Sequence, residues 1–186
     1  MRARNIFNFY HQLLHKHPIL MQAVQTGLLM GTGDIISQTL IEKRTREQFD
    51  FKRTAQFSSI GFFALGPSLR VWYGTLNKYV GSSGKTVALK KVCLDQVLFA
   101  PTCLFFILFS VGLMQGKDID RIKAEMRSNY PDVLITNYYV WPFVQLFNFY
   151  FVPLHYQVLL VQTVALFWNT YLSWKTNKKI AIDKRH

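Results

Sequence analysis

Apolar residues fall along this chain in long blocks parted by short charged stretches. The longest block covers residues 137–174, where no Asp, Glu, Lys or Arg occurs. A helix in water must show it a polar face, so a charge-free run of this length points to lipid. About 20 residues cross the hydrocarbon core, which leaves room here for two helical passes, or for one pass and a re-entrant hairpin. Pro142 and Pro153 lack a backbone donor, and the carbonyls they free need partners within protein. Both are expected helix breaks, Pro153 as the boundary between two helices.

Three shorter blocks precede it. Pro18–Ile41 reads as a first span, with Pro18 placed to open a helix. Within it Gly27, Gly31, Asp34 and Gln38 stand on one stripe, and the GLLMG part lets another helix approach closely, from the same bundle or a second copy. Residues 42–53 read as a mixed-charge loop whose basic groups stay at the headgroups. Residues 54–80 form a second span, broken at Gly66-Pro67, and residues 92–114 a third, with Asp95 and Gln96 near its start and a kink at Pro101. Residues 117–127 mix both signs of charge and predict a short solvated helix. Pro131 then suits the start of the next helix.

Composition supports a membrane bundle and changes one expectation. Half the residues are hydrophobic, 16% are aromatic and 17% are charged, below the roughly 25% usual for soluble domains. A net charge of +12 would suggest nucleic acid in a soluble protein, but here Lys and Arg cluster between the apolar blocks, as anchors at lipid headgroups do. Direct nucleic-acid binding is therefore not expected. Residues 1–17 hold Arg2, Arg4 and Lys16, no acid, and an apolar stripe from Ile6 to Leu14. They read as a basic amphipathic helix, either an import segment or a surface helix. Residues 18–175 form the bundle and 176–186 a basic tail.

The candidate chemistry is sparse. The His residues lack Cys or carboxylate company at metal spacing, so neither a metal nor another cofactor is expected. Cys93 and Cys103, if on one helix, lie about 15 Å apart along its axis and read as two buried thiols. GSSGKT at 81–86 has Tyr79 where a phosphate loop needs Gly. GTGD at 31–34 matches a string of intramembrane aspartyl proteases, but the second acid, Asp95, comes later and no PAL string follows. No catalytic role is expected. What remains is polar residues at membrane depth: Asp34, Gln38, Asp95, Gln96, Gln145, Asn148, Gln162 and Asn169, the last two on a stripe with Ser173. Such groups line a water-filled pathway or hold a packed bundle together. On the first reading Asp34 and Asp95 face a shared path and favour cations. On the second they are internal ion-pair partners. Arg70 is either an interfacial side chain or a partner for one of them.

Several strings together resemble one family. Trp141-Pro142, Gln145, Asn148-Phe149, Val152-Pro153, Trp168-Asn169 and Tyr171–Trp174 match the signature of the Mpv/peroxisomal membrane protein family. MGTGDIISQ, WYGTLNKY, LKKVCLDQ with FAP, and YPDVLITNYY follow its order over most of the chain. The resemblance implies an all-α integral membrane bundle of four spans, with a further C-terminal helix that spans or packs against it. It also implies residence in the mitochondrial inner membrane, the peroxisomal membrane being the alternative. Members are regarded as channel-forming, passing small solutes, with links to mitochondrial DNA maintenance and reactive-oxygen balance. A non-conducting scaffold is the competing expectation. The partners expected are the lipid bilayer, an unidentified small solute and a second copy of the chain.

Overall fold

The computed structural model describes residues 16–152 and 154–183, less the side chains of 149, 154–159 and 179–183. Most of the N-terminal basic segment, the expected break at Pro153 and residues 184–186 of the tail lie outside the described residues. Five helical rods make up the rest: α1 (Pro18–Ile41), α2 (residues 51–79), α3 (Lys85–Met114), α4 (Ile119–Phe151) and α5 (Leu154–Asp183). Among the described residues there is no strand. Among the described residues two rods, α1 and α3, are long and apolar enough to cross a membrane.

Local chemistry explains where the rods start. Pro18 occupies the first turn of α1, where a missing N–H costs nothing. The Asp50 carboxylate accepts from the Arg53 backbone N–H at 2.9 Å and caps α2, so this rod begins at Phe51, ahead of the expected residue 54. Asp118 caps α4 in the same way through Arg121 N–H at 2.8 Å. Between α2 and α3 the chain turns on Gly81 and Gly84, with φ of +118° and +106°, a region only glycine enters cheaply.

The prolines correct the expected breaks. Pro67 and Pro101 do not interrupt their rods. Each follows a π-helical turn, Ile60–Leu65 or Asp95–Phe99, in which the ladder shifts by one residue. Gly66 N–H thus bonds Gly61 O, and Ala100 N–H bonds Asp95 O. The wider turn takes in the proline ring, and the helical ladder runs on through it. Pro131 starts no helix: it lies inside α4, as does Pro142. Pro131 and Arg127, whose carbonyl it frees, are both exposed, so water can meet that carbonyl. The expected solvated helix and the following span are therefore one rod. At 33 residues it is about 50 Å long, well beyond the ~30 Å hydrocarbon core.

α1 is the centre of the arrangement, packed on α2 along one side and on α5 along another, while α3 and α5 pack on α4. The α1–α2 pair is an antiparallel hairpin held at glycines. A Cβ at Gly61 would lie 2.7 Å from the Thr26 carbonyl oxygen, and one at Gly66 would lie 2.6 Å from Ala23 Cα. Those obstacles are backbone and cannot give way. From the α1 side, a Cβ at Gly27 would stand 3.1 Å from Phe62 Cβ, and one at Gly31 would collide with Ser58 Oγ. Two apolar clusters fill the rest: Met30, Phe57, Ile60, Ile107 and Val111 join α1, α2 and α3; Leu104, Val133 and Leu172 join α3, α4 and α5.

Candidate functional site

The polar residues at membrane depth gather in two places. The first surrounds Asp34, which has no exposed surface. Its position on α1 faces the first turn of α2 and the C-terminal half of α5. Arg53 Nε donates to Asp34 Oδ1 at 2.7 Å and Ser173 Oγ donates to the same oxygen at 2.5 Å. Oδ2 accepts from Thr54 Oγ1 at 2.6 Å and from Gln38 Nε2 at 2.8 Å. Four donors from three rods thus meet one carboxylate, so little of its hydrogen-bonding capacity remains.

Arg53 carries the network outward. Its two terminal nitrogens donate to the two Glu42 oxygens at 2.9 and 2.6 Å, a bidentate pair. One of them also reaches Ser37 Oγ and Ser173 Oγ. Arg44 in turn donates to Glu42 at 2.8 Å. The π-helical turn Ser37–Ile41 is what allows this geometry. It closes with Glu42 N–H on Ser37 O, which folds the Glu42 side chain back over the end of α1. Gln38 completes the seal, accepting from Asp50 N–H at 2.8 Å and donating to Asp50 O at 3.0 Å. Burial pushes the Glu42 carboxyl up, but the hydrogen bonds and charge of Arg53, helped by Arg44 and Ser37, outweigh it and hold the group below its ordinary 4.5.

This arrangement corrects the reading of residues 42–53 as a loop with all its basic groups at the headgroups. Arg53 is buried, with 4% of its side chain exposed, and is the cation opposite Asp34. Arg70 is exposed on α2 and pairs with neither acid. Gly33, inside the GTGD string, also has a role the spacing did not reveal. A Cβ there would lie 2.7 Å from Asn169 Cβ and 2.9 Å from the Thr170 backbone N, so its absence lets α5 bring Ser173 to Asp34.

The second gathering lies between α2, α3 and α4. Asp95, on the π-helical turn of α3, accepts from Trp72 Nε1 at 3.0 Å and from Gln96 Nε2 at 3.1 Å. Gln96 Oε1 accepts from Asn137 Nδ2 at 2.8 Å, and the Trp72 ring stacks on Phe99 with centroids 5.2 Å apart. These donors are neutral, whereas a guanidinium stands among those at Asp34. Trp72 is thus a ligand of the carboxylate, and Asn137 joins the site although sequence spacing did not single it out.

The other expected residues are spread along α4 and α5. Asn148 and Asn169 are buried, while Gln145 and Gln162 are half-buried. Cys93 and Cys103 share α3 as free thiols, but Cys93 is exposed, which corrects the reading of both as buried. Among the described residues no three His, Cys, Asp or Glu side chains gather to hold a metal.

Residues 112–173 match the model of the Mpv17 / PMP22 family. The chain is 46% identical to the mitochondrial inner membrane protein Mpv17 of Danio rerio over 93% of its own length and 98% of that protein's. It is 44% identical to the protein of the same name from Homo sapiens over the same shares, and 40% identical to protein sym-1 of Neurospora crassa over 91% and 98%. No solved structure matches it. Likeness at this level along the whole helical rod set makes the chain a member of the Mpv17 / PMP22 family, a membrane protein of the mitochondrial inner membrane.

Proposed function

We propose that the chain passes small solutes across the mitochondrial inner membrane and does no catalysis. In this reading α1, α2, α3 and the apolar half of α4 are four spans, with α5 as the further helix held against α1. The observation that carries it is the set of buried uncharged amides that α3, α4 and α5 hold inside the bundle: Gln96, Asn137, Asn148, Asn169 and Asn177. Uncharged amides at membrane depth solvate a polar solute without trapping an ion, as a pathway requires. The Asp34 site does not fit an aspartyl dyad, since its carboxylate faces a guanidinium and three neutral donors rather than a second acid. Solute passage is also the proposed basis of the link to mitochondrial DNA maintenance and reactive-oxygen balance.

A planar bilayer holding purified, folded protein tests this. Stepwise conductance is expected, altered in unitary size by Asn148→Leu. A silent bilayer would favour a packed scaffold, the second reading, which the saturated donors around Asp34 support on their own.

A further inference from the structure

An open groove of about 480 Å³ lies between the start of α1 and the middle of α2. Leu20, Phe62 and Phe63 line it, together with Ala23 and Pro67. Leu20 is 51% exposed and Phe63 77% exposed, so these walls lack protein cover among the described residues. The groove's ionisable lining residues are Lys16 and His17, both exposed. They sit where α1 begins, ahead of the apolar run.

The stretches of α1 and α2 that form the groove carry charge of one sign, and the acid at this end, Asp95 on α3, is taken up by Trp72 and Gln96. Residues 16–33 and 54–94 contain no Asp or Glu, so neither helix forming the groove offers Lys16 a carboxylate. The first turn of α1 carries no acidic residue and no side-chain cap, which leaves backbone N–H groups adding to the positive potential. α2 runs antiparallel to α1, and Arg70, three residues past Pro67, is exposed at this end as well. Acids are confined to the opposite end of the hairpin, at Asp34, Glu42 and Asp50.

We propose that this groove binds one anionic phospholipid, its acyl chain along Leu20, Phe62 and Phe63 and its phosphate beside Lys16 and His17. The chemistry at the two ends of the groove matches the two ends of such a lipid. A zwitterionic lipid would satisfy the walls equally but set its own cation against Lys16. The inference rests on the membrane placement and not on solute passage, so a non-conducting protein would bind the lipid as well.

Native mass spectrometry of the full chain, released from detergent after titration with phosphatidylglycerol or phosphatidylcholine of identical acyl chains, is the test. One phosphatidylglycerol is expected to be retained in preference to phosphatidylcholine. Lys16→Ala should weaken retention about fivefold, the effect of one basic residue near an anionic headgroup. Leu20→Trp, which fills the groove, should lower retention of both lipids while the melting temperature in detergent alone stays unchanged. Equal retention of the two lipids by the unmodified chain would overturn the proposal. So would competition by soluble glycerophosphoglycerol, which would make the site a phosphate site without a lipid tail. Higher lipid occupancy after deletion of residues 1–15 would also overturn it, by making that segment the occupant.

Discussion

The two intramembrane acids stand in opposite surroundings. Asp34 meets a guanidinium, two hydroxyls and an amide, and its partner Arg53 is itself tied to Glu42 and on to Arg44. Asp95 meets an indole N–H, the Tyr73 hydroxyl and an amide, and leans on Asn137 only through Gln96. The first is a charge balanced by charge inside protein, and three rods depend on it. The second has only neutral donors, which lets its surroundings rearrange at modest cost. The same residue type therefore serves as a lock in one place and as an adjustable contact in the other. The difference comes from Arg53, because a buried cation is costly without its counter-charge while neutral amides make no such demand.

The strongest way to break the comparison is to remove one half of the lock. Asp34→Asn removes the buried carboxylate opposite Arg53, leaving that cation Glu42 alone, and should destabilise by about 3 kcal/mol, seen as a lowered melting temperature in detergent. Arg53→Leu should do the same from the other side. The double variant Asp34→Leu with Arg53→Met should recover much of the loss, since no unpaired charge is left. If the double variant is as damaged as the sum of the singles, the pair is not a coupled unit.

A smaller effect is expected at the second gathering. Asn137→Ala leaves the buried Gln96 oxygen without its donor and should cost about 1–3 kcal/mol in the same melt. Asp95→Asn should cost about 1 kcal/mol, because the amide oxygen still accepts from Trp72 and no cation is stranded. Where bilayer current is measured, this variant should shift the reversal potential although stability barely changes. Loss at Asp95 equal to that at Asp34 would erase the distinction between the sites.

The smallest effect is one of pH. The folded Glu42 pKa lies below its ordinary 4.5, so the unfolded chain binds its proton first as pH falls. The stability this group contributes is therefore full above about pH 4.5 and is lost as pH drops through the lower folded value. Melting temperature against pH should show that acid limb, and Glu42→Gln should flatten it. A limb of unchanged steepness would assign the acid sensitivity to other carboxylates.

Much of the fold was legible because lipid imposes a simple rule on a sequence. Without water to meet backbone groups, long charge-free blocks become helices, and residues 18–41 and 92–114 declare themselves by composition alone. The prolines were less legible. Their effect depends on whether a wider turn precedes them and on whether the freed carbonyl reaches water, and neither is written in the dipeptide. So Pro67 and Pro101 follow π-helical turns within continuous rods, and Pro131 lies inside a long one.

The site divides along the same line. Asp34, Gln38 and the glycines beside them could be picked out by their regular spacing on one helix, since helical geometry converts separation in sequence directly into a shared face. The cation opposite Asp34 could not. Arg53 lies among Lys43, Arg44, Arg46 and Lys52, and nothing in that stretch separates the one buried guanidinium from its solvated neighbours. Sequence alone therefore determined the helical class, the family and the stripe that bears Asp34. The tertiary structure decided which charge is met, because pairing depends on where the α2 cap and the close approach of α5 at Gly33 bring Arg53 and Ser173 in space.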